Sequence, residues 1–270
     1  MKTTYAENMF YGLELPFIFH RRVEKSQTIV STIADWHEHL ELQFCLDGRG
    51  EIIINSEENF FSKGMTVVVN SEFIHHTESS GYILYSCLII DAEFCRLLGI
   101  DVGTTIFETV IQDERLTELA YEFESIYTVK DDICRRAKLC KCAAEMLILL
   151  REKYTVSENK KKENDKRYET AKKAIAYIRE HYTEKISLDD IAKNIYVSKF
   201  TLSRDFKAAA GRSVVEYINM YRCKCAAKLI SDGTSVYSAA EKCGFTNPSF
   251  FARTFVKYMN KLPSQFKKRD

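Results

Sequence analysis

The sequence predicts an α+β protein of two domains, with a β-rich first half and an all-α second half. The chain has 270 residues, which exceeds the usual size of a single domain. Short β-type segments dominate residues 28–90, whereas apolar residues recur at helical spacing from residue 168 onward. The charge also changes sign, because residues 166–270 carry 21 Lys and Arg against 10 Asp and Glu, and residues 1–165 carry 18 against 28.

The β-rich half is predicted from five short segments rich in β-branched, aromatic and aliphatic residues. These are Thr28–Ala34, Leu40–Leu46, Glu51–Asn55, Met65–Val69 and Tyr82–Ile90. The pairs Asp47-Gly48, Asn55-Ser56, Lys63-Gly64 and Ser80-Gly81 are typical of turns between strands. Several short strands at this spacing indicate a small barrel or sandwich.

Helical spacing begins after Asp91 and predicts two helices within residues 112–153, with a break at Thr128–Asp132. Their apolar stripes either close the β-structure or pair with a second subunit. Residues 156–167 then contain one apolar residue among mostly charged ones, so they predict an exposed linker. The expected domains are therefore residues 1–155 and 168–270.

The C-terminal half contains an internal repeat. Ser187–Ala192 corresponds to Ser235–Ala240 at an offset of 48 residues, and the segment from Leu202 corresponds to that from Phe251 at an offset of 49. Each repeat opens with a serine suited to cap a short helix, followed by a turn and a second helix. We interpret the repeats as two helix-turn-helix units joined by a helix over Val214–Ser231.

A helix-turn-helix places its second helix in the DNA major groove, so that helix carries the candidate contacts. The two reading helices, as we call these second helices, are predicted to begin near Ser198 and near Pro248. Candidate DNA contacts are Lys199, Phe200, Ser203, Arg204 and Lys207 in the first and Pro248, Ser249, Ala252 and Arg253 in the second. Arginine can bond guanine bidentately, although either arginine can instead serve a structural ion pair. The charge of +11 over residues 166–270 favours a polyanionic partner.

This region resembles the DNA-binding domain of the AraC/XylS family of bacterial transcription regulators. The matching elements are IA, VSKFTLSRDFK and G within Ile191–Gly211, Arg222 in the joining helix, and GFTNPSFFARTF through Pro263. The sequence departs from the family at Val214, where proline is common, and at Asn260, where glycine is usual. The resemblance implies two helix-turn-helix units in successive major-groove turns on one face of the duplex.

The N-terminal half resembles the cupin-like sensory domain that many members of that family carry, which implies a cupin-like β-barrel. His37 and His39 form its HxH motif on a predicted strand, and Gln43 stands where cupin enzymes have a glutamate. Three interpretations stay open for this site. A small-molecule effector would be lined by Trp36, His37, His39, Gln43, Phe44 and His75. A metal would be held by His37, His39 and His75, which the loss of the carboxylate disfavours, and the third interpretation is purely structural histidines.

We therefore expect a bacterial, cytoplasmic, DNA-binding transcription regulator with no catalytic residues and no cofactor. The expected partners are double-stranded DNA, a sugar-like effector, a second copy bound through residues 112–153, and RNA polymerase if the protein is an activator. No apolar run reaches the roughly 18 residues of a membrane span. Two alternatives stay open: a cupin metal enzyme with a DNA-binding tail, and a DNA-binding protein without an effector.

Overall fold

A computed structural model describes residues 15–25, 33–78, 81–157 and 166–267. The described residues divide into a β-rich body within 15–25 and 36–157 and a helical body of 33–35 and 166–267. The predicted order, β-rich first and all-α second, is confirmed. Within the described residues, no helix has both the length and the apolar character that a bilayer span requires.

The β-rich body is organised around one long strand, β2. Its strands are β1 (Phe17–Lys25), β2 (Leu40–Ile54), β3 (Glu57–Ser62), β4 (Thr66–Val69), β5 (His75–Glu78), β6 (Ile83–Ile90), β7 (Ile106–Phe107), β8 (Val110–Ile111) and β9 (Thr155–Ser157). The first half of β2 pairs antiparallel with β6 and β4, and its second half pairs with β3 and β5. β1 extends the sheet beyond β6, β8 extends it beyond β4, and β7 pairs with β9.

The predicted turn at Asp47-Gly48 is wrong, because β2 runs through it with a shift of register between Cys45 and Asp47. Gly48 has φ +76°, and a Cβ there would lie 2.1 Å from the Tyr82 carbonyl oxygen. Glycine is therefore required by both the backbone conformation and the close approach of β6. The bulge carries β2 from one set of partner strands to the other.

Of the other predictions for the β-rich body, one turn is confirmed, several strands were not predicted, and some segments lie outside the described residues. The turn at Asn55-Ser56 is confirmed, with both residues at positive φ. Six strands in the described part of the chain were not predicted: β1, β3 and β5 are more polar than the predicted segments, and β7, β8 and β9 have only two or three residues. Thr28–Thr32 and Ser80 lie outside the described residues, as do residues 158–165 of the predicted linker, whereas Ile33 and Ala34 belong to no strand.

Two hydrophobic clusters lie on opposite faces of the sheet. Leu40, Leu42 and Phe44 of β2 are buried in the larger cluster with the helices α1 (Ala92–Leu97), α2 (Glu114–Thr128) and α3 (Arg135–Lys153). Cys45 and Ile52 of the same strand are buried in the smaller cluster with Val67, Tyr85 and Cys87. The apolar stripes of α2 and α3 thus cover the sheet of their own chain, and the predicted break between these helices is confirmed.

The helical body contains two helix-turn-helix units. Its helices are α4 (Lys166–His181), α5 (Leu188–Asn194), α6 (Lys199–Ala210), α7 (Val214–Ser231), α8 (Val236–Lys242), α9 (Pro248–Met259) and a 3-10 turn (Pro263–Phe266). The pairs α5–α6 and α8–α9 are the two units, and α7 joins them over the predicted bounds. Unexpectedly, residues 33–35 belong to this body: the Tyr217 hydroxyl donates to the Ala34 carbonyl over 3.0 Å, and Arg179 pairs with Asp35.

Local capping explains where these helices begin and end. Ser187 and Asp190 form the predicted capping box, in which each side chain accepts from the other residue's backbone N–H. Asn247 accepts from the Phe250 N–H at 2.9 Å to start α9. The two reading helices end at Gly211 and Asn260, with φ +70° and +50°, so Asn260 adopts the left-handed conformation in place of glycine.

Candidate functional site

The first reading helix, α6, separates a polar face from a buried one. Leu202 and Phe206 are fully buried against the helical body. The predicted contacts Lys199, Phe200, Ser203, Arg204 and Lys207 are all exposed. Positions 199, 203 and 207 are four residues apart, as are 200 and 204, so these side chains form two neighbouring rows on one face. This surface can meet base edges and phosphates at once.

Arg204 takes part in the ion pair that the sequence left as an alternative. Its Nε donates to Asp205 Oδ1 over 2.8 Å, and Asp205 is only 1% exposed. The guanidinium also lies 5.8 Å from the centre of the Phe200 ring. A guanidinium has five N–H donors, and 60% of the Arg204 side chain is exposed. The ion pair therefore orients Arg204 and leaves its outer edge available to a ligand.

The second reading helix, α9, has the same division with a less polar surface. Phe251 and Phe255 are buried, whereas the predicted contacts Pro248, Ser249, Ala252 and Arg253 are exposed. Neither α6 nor α9 has an acidic residue in its first turn, in contrast to α5 and α7. Both reading helices therefore present a positive dipole end to an anionic partner.

A feature that the sequence analysis did not resolve is the groove beside α9. It has a volume of about 870 Å³ and is lined by residues 183–186, by α8 and by the start of α9, including Pro248 and Ala252. Arg222 of α7 forms part of its wall and donates to the carbonyls of Tyr182 (2.7 Å) and Glu184 (2.6 Å). Such carbonyl contacts have no sequence signature, because any residue supplies a carbonyl.

The residues predicted to line an effector site separate into two groups. His37 and His39 precede β2 instead of lying on a strand, so that prediction is wrong. Phe44 lies in the larger hydrophobic cluster, on the opposite face of β2 from Gln43, because strand side chains alternate. Trp36 is half-buried. His39 accepts from the Ala92 N–H through Nδ1 over 3.2 Å, at the start of α1.

His37, Gln43 and His75 meet around Glu41, a residue that the sequence analysis missed. Glu41 Oε2 lies 3.0 Å from His37 Nε2 and 3.3 Å from His75 Nε2. Gln43 Nε2 donates to Glu41 Oε1 over 2.7 Å, and Thr77 donates to Gln43 Oε1 over 3.1 Å. All these side chains are buried. A count of four residues from the first histidine of the HxH motif, instead of the second, would have found the carboxylate.

Charge in this cluster is balanced within it. Burial disfavours the Glu41 carboxylate, yet His75 and His37 hold its pKa well below the usual range. Burial and the nearby Glu41 raise the pKa of the Cys87 thiol well above its ordinary value. Buried Lys25 donates to the Thr77 carbonyl over 3.0 Å. The β-rich body therefore contains a polar, charge-paired cluster beside apolar side chains.

Comparison with known proteins finds a helix-turn-helix domain in the second half of the chain. A family model described as a helix-turn-helix domain matches residues 191–269. The HTH-type transcriptional regulator YdeC of Bacillus subtilis, itself described as uncharacterized, is 24% identical over 255 residues, which cover 87% of this chain and 86% of that protein. A response regulatory protein of Staphylococcus epidermidis is 33% identical over 96 residues, covering 36% of this chain and 38% of that protein.

Solved structures share the fold over most of the chain. The crystal structure of ToxT from Vibrio cholerae has a TM-score of 0.53 and 15% identity, covering 93% of this chain and 96% of that one. ToxT with a bound unsaturated fatty acid has a TM-score of 0.54 and 14% identity, covering 93% and 94%. At this identity the likeness is one of fold.

Proposed function

We propose, from the AraC-type helix-turn-helix domain in the C-terminal half of this chain, a sequence-specific DNA-binding transcription regulator. The observation that carries the proposal is the face of α6, where Lys199, Ser203, Arg204 and Lys207 are exposed together above a buried apolar face. Cationic and hydroxyl groups in this arrangement suit a major groove bordered by phosphates.

The two reading helices would divide the work of recognition. Arg204, oriented by Asp205, reads a guanine edge, and Lys207 contacts a phosphate. In α9, Ser249 and Arg253 make the polar contacts, whereas Pro248 and Ala252 approach thymine methyl groups or the backbone. Half-sites would repeat at about one helical turn, roughly 10–10.5 base pairs.

The β-rich body would sense a polar small molecule. Buried Lys25, His37, Glu41, Gln43 and His75 offer charged and hydrogen-bonding groups that suit a hydroxyl-rich, sugar-like ligand. ToxT, by contrast, has been crystallised with a fatty acid. The effector must bind two states of the protein unequally, since equal affinity for both would shift nothing.

A homodimer is proposed through α2 and α3. Tyr121 of α2 and Ile148 of α3 are large apolar side chains that remain exposed, and Ile133 is fully exposed between the helices. A contiguous apolar patch on a protein surface is typical of an interface, and these side chains would form one in the dimer. RNA polymerase would be a further partner if the protein activates transcription, and the cytoplasm would be its location.

The test is to mix purified protein with fragmented DNA of the source genome and to sequence the retained fragments. Sharp peaks upstream of genes, with half-sites repeated at helical-turn spacing, are expected for the wild type. The paired variant Arg204→Ala/Arg253→Ala is the matched control, and it should lose the peaks while its circular dichroism is unchanged. A featureless profile for the wild type, both alone and with cell extract as a source of effector, would refute sequence-specific binding.

A further inference from the structure

Three buried side chains of the β-rich body bring their donor atoms to one point. One donor atom from each of His37, Glu41 and His75 lies within 4.8 Å of those of the other two, and all three residues are buried. The distances from Glu41 Oε2 to the two Nε2 atoms are 3.0 and 3.3 Å. Ligands about 2.0–2.2 Å from a tetrahedral zinc ion lie roughly 3.3–3.5 Å from each other. Two of the three separations thus need to change by only a few tenths of an ångström.

Both histidines are oriented as metal ligands are. The Nδ1 of His37 lies 3.2 Å from the carbonyl of His39, and the Nδ1 of His75 lies 3.0 Å from the carbonyl of Phe73. A carbonyl oxygen only accepts, so Nδ1 carries the proton in each ring. In the neutral imidazole, Nε2 then holds the lone pair, and in both rings this atom faces Glu41. Metal-binding histidines commonly donate their other N–H to a carbonyl in this way.

The carboxylate is held as firmly as the rings. Gln43 donates to Glu41 Oε1, and Thr77 fixes the orientation of Gln43, so Oε2 is the oxygen directed at the histidines. Two neutral imidazoles and one carboxylate are the ligand set of catalytic zinc sites and of non-haem iron sites. His39 stands apart, because its Nδ1 accepts from the Ala92 N–H.

We propose that His37, Glu41 and His75 bind one divalent transition-metal ion of the zinc class through Nε2, Oε2 and Nε2. Three protein ligands leave a fourth position for water or for a ligand atom. The ligand set differs from the three histidines that the sequence suggested, since Glu41 replaces His39. Metal binding at this site does not depend on DNA binding, so the experiments below test it independently of the proposed regulatory function.

The first experiment uses the untagged, full-length wild type, freed of metal by a chelator and then titrated with Zn²⁺ in a calorimeter. One equivalent should bind, and X-ray absorption of the zinc-loaded protein should show nitrogen and oxygen ligands, two of them imidazoles. Uptake of less than about a tenth of an equivalent by folded protein would overturn the proposal and leave a charge-paired triad. Sulfur in the zinc shell would overturn it as well, by assigning the metal to cysteines.

Variants then identify the ligands. His75→Gln and Glu41→Gln should each weaken zinc binding by about 100-fold or more, whereas Gln43→Leu, which removes only the group that orients Glu41, should weaken it by about 10–100-fold. His39→Gln and His76→Gln are the matched controls, because both remove buried histidines that lie outside the triad. They should bind zinc as the wild type does. Equal losses in His39→Gln and His75→Gln would contradict this ligand set, and the absorption spectrum of the wild type decides the matter if a variant fails to fold.

Discussion

The two helix-turn-helix units have the same framework and different surfaces. In both, a side chain caps the reading helix, two apolar residues four positions apart are buried, and a left-handed residue ends it. The exposed face of α6 carries three cations, Lys199, Arg204 and Lys207, whereas the equivalent positions of α9 at the offset of 49 are Pro248, Arg253 and Val256. Framework residues are constrained by packing and backbone geometry, and the reading surface varies because it faces solvent or DNA.

The turns between the helices show how one backbone conformation is accommodated in two ways. Tyr196 and Gly244 are equivalent by the repeat offset of 48, and both have positive φ, +59° and +79°. The side chain of Tyr196 is 94% exposed, so it meets no obstacle despite its strained backbone. A Cβ at Gly244 would lie 2.7 Å from the Tyr182 oxygen and 3.1 Å from Arg222 Cζ. Only the second turn therefore requires glycine for space.

The largest loss of stability is expected at Gly244, where an added Cβ has the least space. Gly244→Ala combines backbone strain with a clash against two carbonyls, so it should lower the free energy of unfolding by about 2–4 kcal/mol. Urea denaturation measures the change. Gly233→Ala is the matched control, because its φ is +96° and no atom lies within 4 Å of the added Cβ. It should cost about 1 kcal/mol, and equal losses in both variants would show that space at Gly244 is irrelevant.

The next largest effect is a loss of DNA affinity, and it distinguishes a base contact from a phosphate contact on α6. Arg204→Ala should cost about 1–3 kcal/mol of binding free energy, mostly at one base pair, because a bidentate contact to guanine is removed. Lys207→Ala should weaken binding to all DNA sequences alike. It should also reduce the slope of the logarithm of the binding constant against the logarithm of the salt concentration by about 1. Titrations across single-base variants of the site measure both. A uniform loss for Arg204→Ala would make that residue a phosphate contact.

The shared framework predicts similar costs for the two N-caps. Ser198→Ala removes the acceptor for the Thr201 N–H at 3.0 Å, and Asn247→Ala removes that for the Phe250 N–H at 2.9 Å. Each should lower the free energy of unfolding by about 1 kcal/mol in urea denaturation. Ser198→Gly and Asn247→Gly are the controls, since glycine is a tolerated cap. A large loss in only one unit would show that the frameworks are not equivalent.

The smallest expected effect is an increase in stability, in contrast to the losses predicted above. Tyr196→Gly relieves the positive φ of a bulky residue but increases the freedom of the unfolded chain, so it should stabilise the protein by only about 0.5 kcal/mol. Thermal unfolding measures it, with Tyr237→Gly, a change at another exposed tyrosine but within helix α8, as the destabilising control. A marked loss of stability in Tyr196→Gly would show that its ring makes a stabilising contact.

Much of the helical body could be predicted from the sequence because its determinants are local. The serine caps, the period of 3.6 residues and the repeat offset lie within one or two turns of the backbone they specify. The start of α6 after Ser198 and the bounds of α7 were predicted and are observed. The matched helix-turn-helix domain, residues 191–269, includes the positions that carry the AraC/XylS resemblance.

The sequence by itself thus determined the order of the domains, the two helix-turn-helix units and the residues on their exposed faces. Only the tertiary structure decided that the Phe44 face of β2 packs in the cluster with the helices, and that Glu41 joins His37 to His75. Those two histidines come from the loop before β2 and from β5, and β2 reaches the strands it pairs with through the bulge between Cys45 and Asp47. Strand pairing brings together residues far apart in the chain, and a displacement of one position turns every side chain to the other face.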